Sequence, residues 1–106
     1  MQRAKESRLE ARGWRVGSAG ELLGLSKEES AFVEIKLALA RSLRARRQAR
    51  GWSQAEVARR IGSSQSRVAK MEACDSLVSI DLLVRSLLAI GATRRDVARI
   101  IGARAA

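Results

Sequence analysis

Ser53-Gln54-Ala55-Glu56-Val57-Ala58-Arg59-Arg60-Ile61-Gly62-Ser63-Ser64-Gln65-Ser66-Arg67-Val68-Ala69-Lys70-Met71-Glu72-Ala73-Cys74 is the stretch that decides how this chain folds. Ser53 is a residue type that caps helix starts, and Glu56 three positions on completes a capping box. Val57, Ala58 and Ile61 then share one face at helical spacing, with Ala58 small enough for a close helix crossing. Gly62 stands where a left-handed backbone ends a helix without steric cost. Ser63 or Ser64 caps a second helix whose inward stripe is Val68, Met71 and Ala69. Its outward face begins with Gln65, Ser66 and Arg67, and Lys70 follows one turn later. The spacing predicts two short helices joined at a tight turn, the second presenting a polar tip.

Such a tip has a specific use. Gln and Ser are short, are held rigidly and carry both donors and acceptors, which suits reading the edges of DNA bases. Any two amphipathic helices around a glycine would show similar caps and stripes, so a plain helical hairpin is the competing interpretation. Charge favours the nucleic-acid one. The 106-residue chain carries 21 Lys and Arg against 11 Asp and Glu, a net charge of +10. An excess of that size attracts phosphate polyanions and disfavours a compact protein with nothing to bind. A membrane-surface role fits less well, because no segment pairs a basic face with exposed bulky aromatics.

Other chemistries lack their residues. With no His, no Tyr and one Cys, the chain has neither a zinc-ligand set nor a disulfide framework nor the common nucleophile–base pairs. No glycine-rich phosphate loop is present. Catalysis, a metal and a cofactor are therefore not expected. No apolar run approaches the roughly 18 residues of a membrane span, and the polar start has no signal-peptide core. The expected location is the cytoplasm, at the nucleoid. Cys74 reads as a packed or surface thiol in preference to a redox switch.

The remaining chain, without proline, reads as helix and short connectors. Residues 1–26 are an N-terminal extension: a frayed helix over 2–12, a short extended segment from Gly13 to Gly17, and a turn from Ser18 to Gly24. Ser26 with Glu29 forms another capping box opening a helix that runs to about Arg50. Eight of the ten residues from 31 to 40 are apolar, so this part should be buried on more than one side. One face, along Leu39 and Leu43, serves the core of the two-helix motif. The other, along Val33, Leu37 and Ala40, needs the N-terminal segment, the C-terminal helices or a second copy of the chain. Ser79 caps a helix from Ile80 to Ile90 ended by Gly91. Thr93, with Asp96, starts a last helix ended by Gly102, and 103–106 form a tail. Residues 27–102 thus form one domain around a motif at 53–73, an all-α fold of five to six helices with a long first core helix. One recognition helix contacts only a few base pairs, so a homodimer reading a palindrome is expected, with its interface in Leu82 to Ile101, alone or joined by the start of the long helix.

From about Leu43 to Gly91 the chain resembles the lambda-repressor-like (Xre-type) helix-turn-helix family. The likeness is carried by Trp52-Ser53-Gln54-Ala55-Glu56-Val57-Ala58 and by Gly62-Ser63-Ser64-Gln65-Ser66-Arg67-Val68. The resemblance implies that Gln54 bonds a DNA phosphate, that Ser64, Gln65, Ser66 and Lys70 face the major groove, and that Arg47 pairs with Glu72. Cys74 departs from the family, which has Gly after the recognition helix. Arg41, Arg44, Arg46, Arg59, Arg60 and Arg67 are the further candidates for phosphate contact.

The run Gly20-Glu21-Leu22-Leu23-Gly24-Leu25-Ser26-Lys27-Glu28-Glu29, leading into Glu34-Ile35-Lys36-Leu37-Ala38-Leu39, is similar to the extension of HigA-type antitoxins, and with Val78-Ser79-Ile80-Asp81-Leu82-Leu83 and the Gly91 ending the resemblance covers roughly residues 17–102. That resemblance alone implies a repressor of its own operon that also holds a small toxin protein inactive. A stand-alone Xre-type regulator and a protein-interaction adaptor on the same fold are the alternatives.

Overall fold

The computed structural model describes residue 24 and residues 26–103. The expectations for residues 1–23, a frayed helix, an extended segment and a turn, lie outside these, as does most of the tail. Among the described residues there are five α-helices and no strand: α1 Lys27–Ala49, α2 Gln54–Ile61, α3 Gln65–Glu72, α4 Ile80–Ala89 and α5 Arg94–Gly102. The fold is all-helical, as its periodicity predicts. By contacts the chain divides into two units, Met1–Glu34 and Ile35–Ala106, the division falling inside α1.

Local chemistry sets the helix starts. Ser26 Oγ accepts from the Glu29 N–H (3.1 Å) while Glu29 Oε1 accepts from the Ser26 N–H (2.9 Å), a complete capping box. Thr93 and Asp96 make the same reciprocal pair at the head of α5. Ser53, Ser64 and Ser79 cap α2, α3 and α4, each accepting from the N–H three residues on. The capping box expected at Ser53 is only half formed. Glu56 donates its N–H to Ser53 Oγ, but its carboxylate turns to Arg59 and to Arg60, the latter at 2.8 Å. Two charge-assisted bonds along the same helix outcompete one backbone N–H.

Helix ends repeat one device. After α2, Ser63 N–H reaches back to Ala58 O (2.8 Å) and Gly62 N–H to Arg59 O (3.4 Å), with Gly62 left-handed at φ +70°. After α3, Asp75 N–H reaches Lys70 O (3.0 Å) and Cys74 N–H reaches Met71 O (3.1 Å). Here the left-handed residue is Cys74, at φ +56°. The closure is thus the one a glycine would make, held by a residue whose Cβ costs about 1–2 kcal/mol in that conformation.

Leu39, Ala40 and Leu43 of α1, Val57 and Ala58 of α2, Val68 and Met71 of α3, Leu83 and Leu87 of α4, and Val97 of α5 are buried in a single cluster. Fully burying a side chain the size of Leu contributes roughly 1.5–3 kcal/mol. The cluster therefore fixes the crossing of α2 against α3 that orients the motif. Ala69 is only half-buried.

Two expectations for α1 are corrected. Ala40 belongs to the core face with Leu43, three residues on, and does not lie on the second face with Val33 and Leu37. The segment 31–40 is also not buried all round: Ala31, Phe32 and Val33 are exposed, and full burial begins only at Leu39. Among the described residues, the core cluster reaches α1 from Ile35 onward.

Candidate nucleic-acid interface

The head of α3 is displayed to solvent. Ser64, Gln65, Ser66, Arg67 and Lys70 are all exposed, while Val68 and Met71 on the opposite side of the same helix are buried. Ser64 Oγ accepts from the Arg67 N–H (3.2 Å) and so holds the first turn; it also lies 3.4 Å from Ser66 Oγ.

A chain of polar bonds runs from the inside of the domain to this tip. Arg47 of α1 meets Glu72 at the end of α3 through two parallel bonds, Nε to Oε2 at 2.6 Å and Nη2 to Oε1 at 3.0 Å. The two side chains are 14% and 5% exposed, so the charges depend on one another for partners. Arg47 Nη1 also donates to Trp52 O (2.9 Å), tying the α1–α2 connection to the same guanidinium. The Glu72 hydrogen bond holds Arg47 above the ordinary guanidinium range, outweighing the opposing effect of burial.

Glu72 Oε1 then accepts from Gln54 Nε2 (3.1 Å), and Gln54 Oε1 accepts from Gln65 Nε2 (2.7 Å). This order is forced. An ionised carboxylate only accepts, so Gln54 must turn its amino group to Glu72 and its carbonyl to Gln65. Gln65 must in turn use an amino hydrogen, which leaves it one N–H and its carbonyl oxygen. Those two groups, one donor and one acceptor, complement N7 and the N6 amino group of adenine. Gln54 keeps a second amino hydrogen, enough for one phosphate oxygen. Beside it an open hollow of about 240 Å³ is lined by Arg44, Arg47, Gln54, Ala69, Glu72 and Ala73.

The candidate arginines fall into different settings. Arg41, Arg44 and Arg67 are exposed, and no carboxylate among the described residues pairs with them. Arg46 reaches Asp96 of α5 at 3.3 Å. Arg59 and Arg60 share Glu56, and the Arg60 guanidinium also stacks 4.0 Å from the centre of the Trp52 ring. The Arg59 hydrogen bond, with both positive charges, holds the Glu56 carboxyl below the usual range.

Sequence reasoning did not foresee the Gln54–Gln65 bond, the Arg46–Asp96 pair or the stacking on Trp52. Local signals existed only for pairs within one helix, an acid three or four residues before an arginine, as for Glu56 with Arg59 and Arg60, Asp81 with Arg85 and Asp96 with Arg99. Among the described residues no group of His, Cys, Asp and Glu is placed to hold a metal ion, and no helix is long and apolar enough to cross a membrane.

Residues 38–102 match a family model described as a helix-turn-helix domain. Neither a curated protein nor a solved structure matches the chain.

Proposed function

The chain belongs to the helix-turn-helix domain family, which spans more than half of its length, and from that premise we propose that it is a sequence-specific DNA-binding repressor of transcription. The observation that carries this is the Glu72–Gln54–Gln65 chain. It leaves a donor and an acceptor of Gln65 exposed at the tip of α3, in an orientation set from within the fold. Ser64, Ser66 and Lys70 flank Gln65 as further contacts to base edges. Arg41, Arg44, Arg67 and the remaining amino hydrogen of Gln54 hold phosphates and supply affinity without sequence preference. Arg59 and Arg60, half neutralised by Glu56, contribute less. Arg47 and Glu72 act on DNA only by positioning Gln54.

The acting species is a homodimer on a palindromic operator, its half-sites about 34 Å or a multiple apart. Pairing through the C-terminal helices is supported by Leu88 and Ile101, which keep 42% and 39% of their surface exposed. The antitoxin role rests on resemblance alone, that of the 20–39 flank together with Val78 to Leu83 and the Gly91 ending. It predicts that the product of a neighbouring small reading frame co-purifies with this chain, whereas a stand-alone regulator has no such companion.

Selection from a pool of random duplexes tests the function. The expected product is an inverted repeat whose half-site contains an invariant adenine. A pool that returns unenriched after repeated rounds at low salt overturns the proposal.

A further inference from the structure

A second concentration of positive charge lies away from the tip of α3, where the last turns of α1 meet the start of α5. Arg46 of α1 and Arg99 of α5 both reach Asp96, each at 3.3 Å. Arg50 lies with its guanidinium 5.1 Å from the centre of the Trp52 ring, and its Nη2 lies 3.0 Å from where a Cβ on Gly91 would stand. Arg94 and Arg95 occupy the first two positions of α5, both exposed. Two of these five guanidiniums, those of Arg46 and Arg99, share the Asp96 carboxylate, and no acid among the described residues pairs with Arg50, Arg94 or Arg95.

This is an unfavourable arrangement for a surface that meets only water. The start of a helix carries partial positive charge, and a cation there is destabilising where an acid would stabilise. Asp96 is already used by Thr93, Arg46 and Arg99. The positive charge of Arg50, Arg94 and Arg95 is therefore uncompensated by any carboxylate among the described residues, which suits this surface to phosphate.

We infer that Arg50, Arg94 and Arg95 form a second phosphate-binding surface, which engages the DNA backbone flanking the sequence contacted by α3. The partner follows from the position of α1. Adjacent residues at its end face two ways, Arg47 to Glu72 of the recognition helix and Arg46 to Asp96 of α5. A duplex contacted by α3 carries a charge about every 1.7 Å, and the last turn of α1 is tied to both α3 and the start of α5. This inference rests on the proposed DNA binding and extends its footprint.

The test uses the full chain and two mixed-sequence duplexes, of about one and about four helical turns. Affinity is measured across a salt series for the natural protein, the Arg94→Gln/Arg95→Gln variant and an Arg50→Gln variant. The capping box at Thr93 and Asp96 is untouched, and thermal unfolding followed by circular dichroism checks that each variant is folded. On the long duplex the double variant should bind about tenfold more weakly at low salt, with a salt slope reduced by about 2. Arg50→Gln should reduce the slope by about 1, and neither variant should differ from the natural protein on the short duplex. Equal slopes for all three on the long duplex overturn the flanking surface while leaving the proposed function intact. A natural protein that binds neither duplex overturns both.

Discussion

Gln65 donates its amide N–H to the carbonyl of Gln54 at 2.7 Å, across the turn that separates the two helices of the motif. The side chain at the recognition tip and the one at the head of α2 are therefore one hydrogen-bonded unit, anchored by Glu72. Holding Gln65 in place before DNA arrives lowers the entropy lost on binding. Gln54→Ala should then weaken operator binding even if its own phosphate contact is small, because Gln65 is released. A double-mutant cycle of Gln54→Ala and Gln65→Ala on the selected operator should show a coupling of about 0.5–3 kcal/mol. Strictly additive losses would mean that the bond does not orient Gln65.

Breaking the anchor should affect the fold itself. Glu72→Ala leaves the Arg47 guanidinium with little solvent and removes the acceptor of Gln54. A loss of about 2–4 kcal/mol is expected in urea unfolding. Replacing both partners by apolar residues of similar volume, Arg47→Met with Glu72→Leu, should recover much of that stability while DNA specificity stays impaired. An unchanged unfolding midpoint for Glu72→Ala would contradict the anchor.

Two glycines offer a matched pair. Gly62 has φ +70° and Gly102 has no positive φ; neither has an atom within 4 Å of where a Cβ would stand. The outcome is therefore set by the backbone alone. Gly62→Ala should lose about 1–2 kcal/mol through left-handed strain. Gly102→Ala, at the last position of α5, should gain up to about 1 kcal/mol. Melting temperatures moving in opposite directions would bear this out; both falling alike would not.

Acid should loosen the junction of α1 and α5. The backbone and side chain of Thr93, and then the charges of Arg46 and Arg99, hold the Asp96 carboxyl below its usual range. A carboxylate depressed in the folded state contributes stability that is present above its unfolded value, about 3.9, and is lost as pH falls through the folded one. Stability should therefore drop below about pH 4, and Asp96→Asn should make that acid limb shallower. An identical acid limb in the variant would remove Asp96 from the account.

What was readable in advance follows the range of each interaction. Ser26 with Glu29 and Thr93 with Asp96 lie within one turn, so spacing alone places the starts of α1 and α5. At Ser53 the same rule gives the correct helix start but the wrong partner for Glu56, since it weighs backbone bonds without the competing Arg59 and Arg60. The exposed tip of α3 is legible because Val68 and Met71 fix its buried side. The bond between Gln54 and Gln65 is not, since no periodicity links two residues on helices that cross at an angle. The apolar stretch from Ala31 to Ala40 misled for another reason. Composition reports how much apolar surface a helix has, not what covers it, and Phe32 and Val33 remain 54% and 47% exposed.

The central claim is that Gln65 reads a base. Its most direct test is titration of natural and Gln65→Ala protein against the selected operator and against a scrambled duplex, at one salt concentration. The account predicts a loss of about 1–3 kcal/mol on the operator and almost none on the scrambled duplex. Equal losses on both duplexes, or none on either, would contradict it.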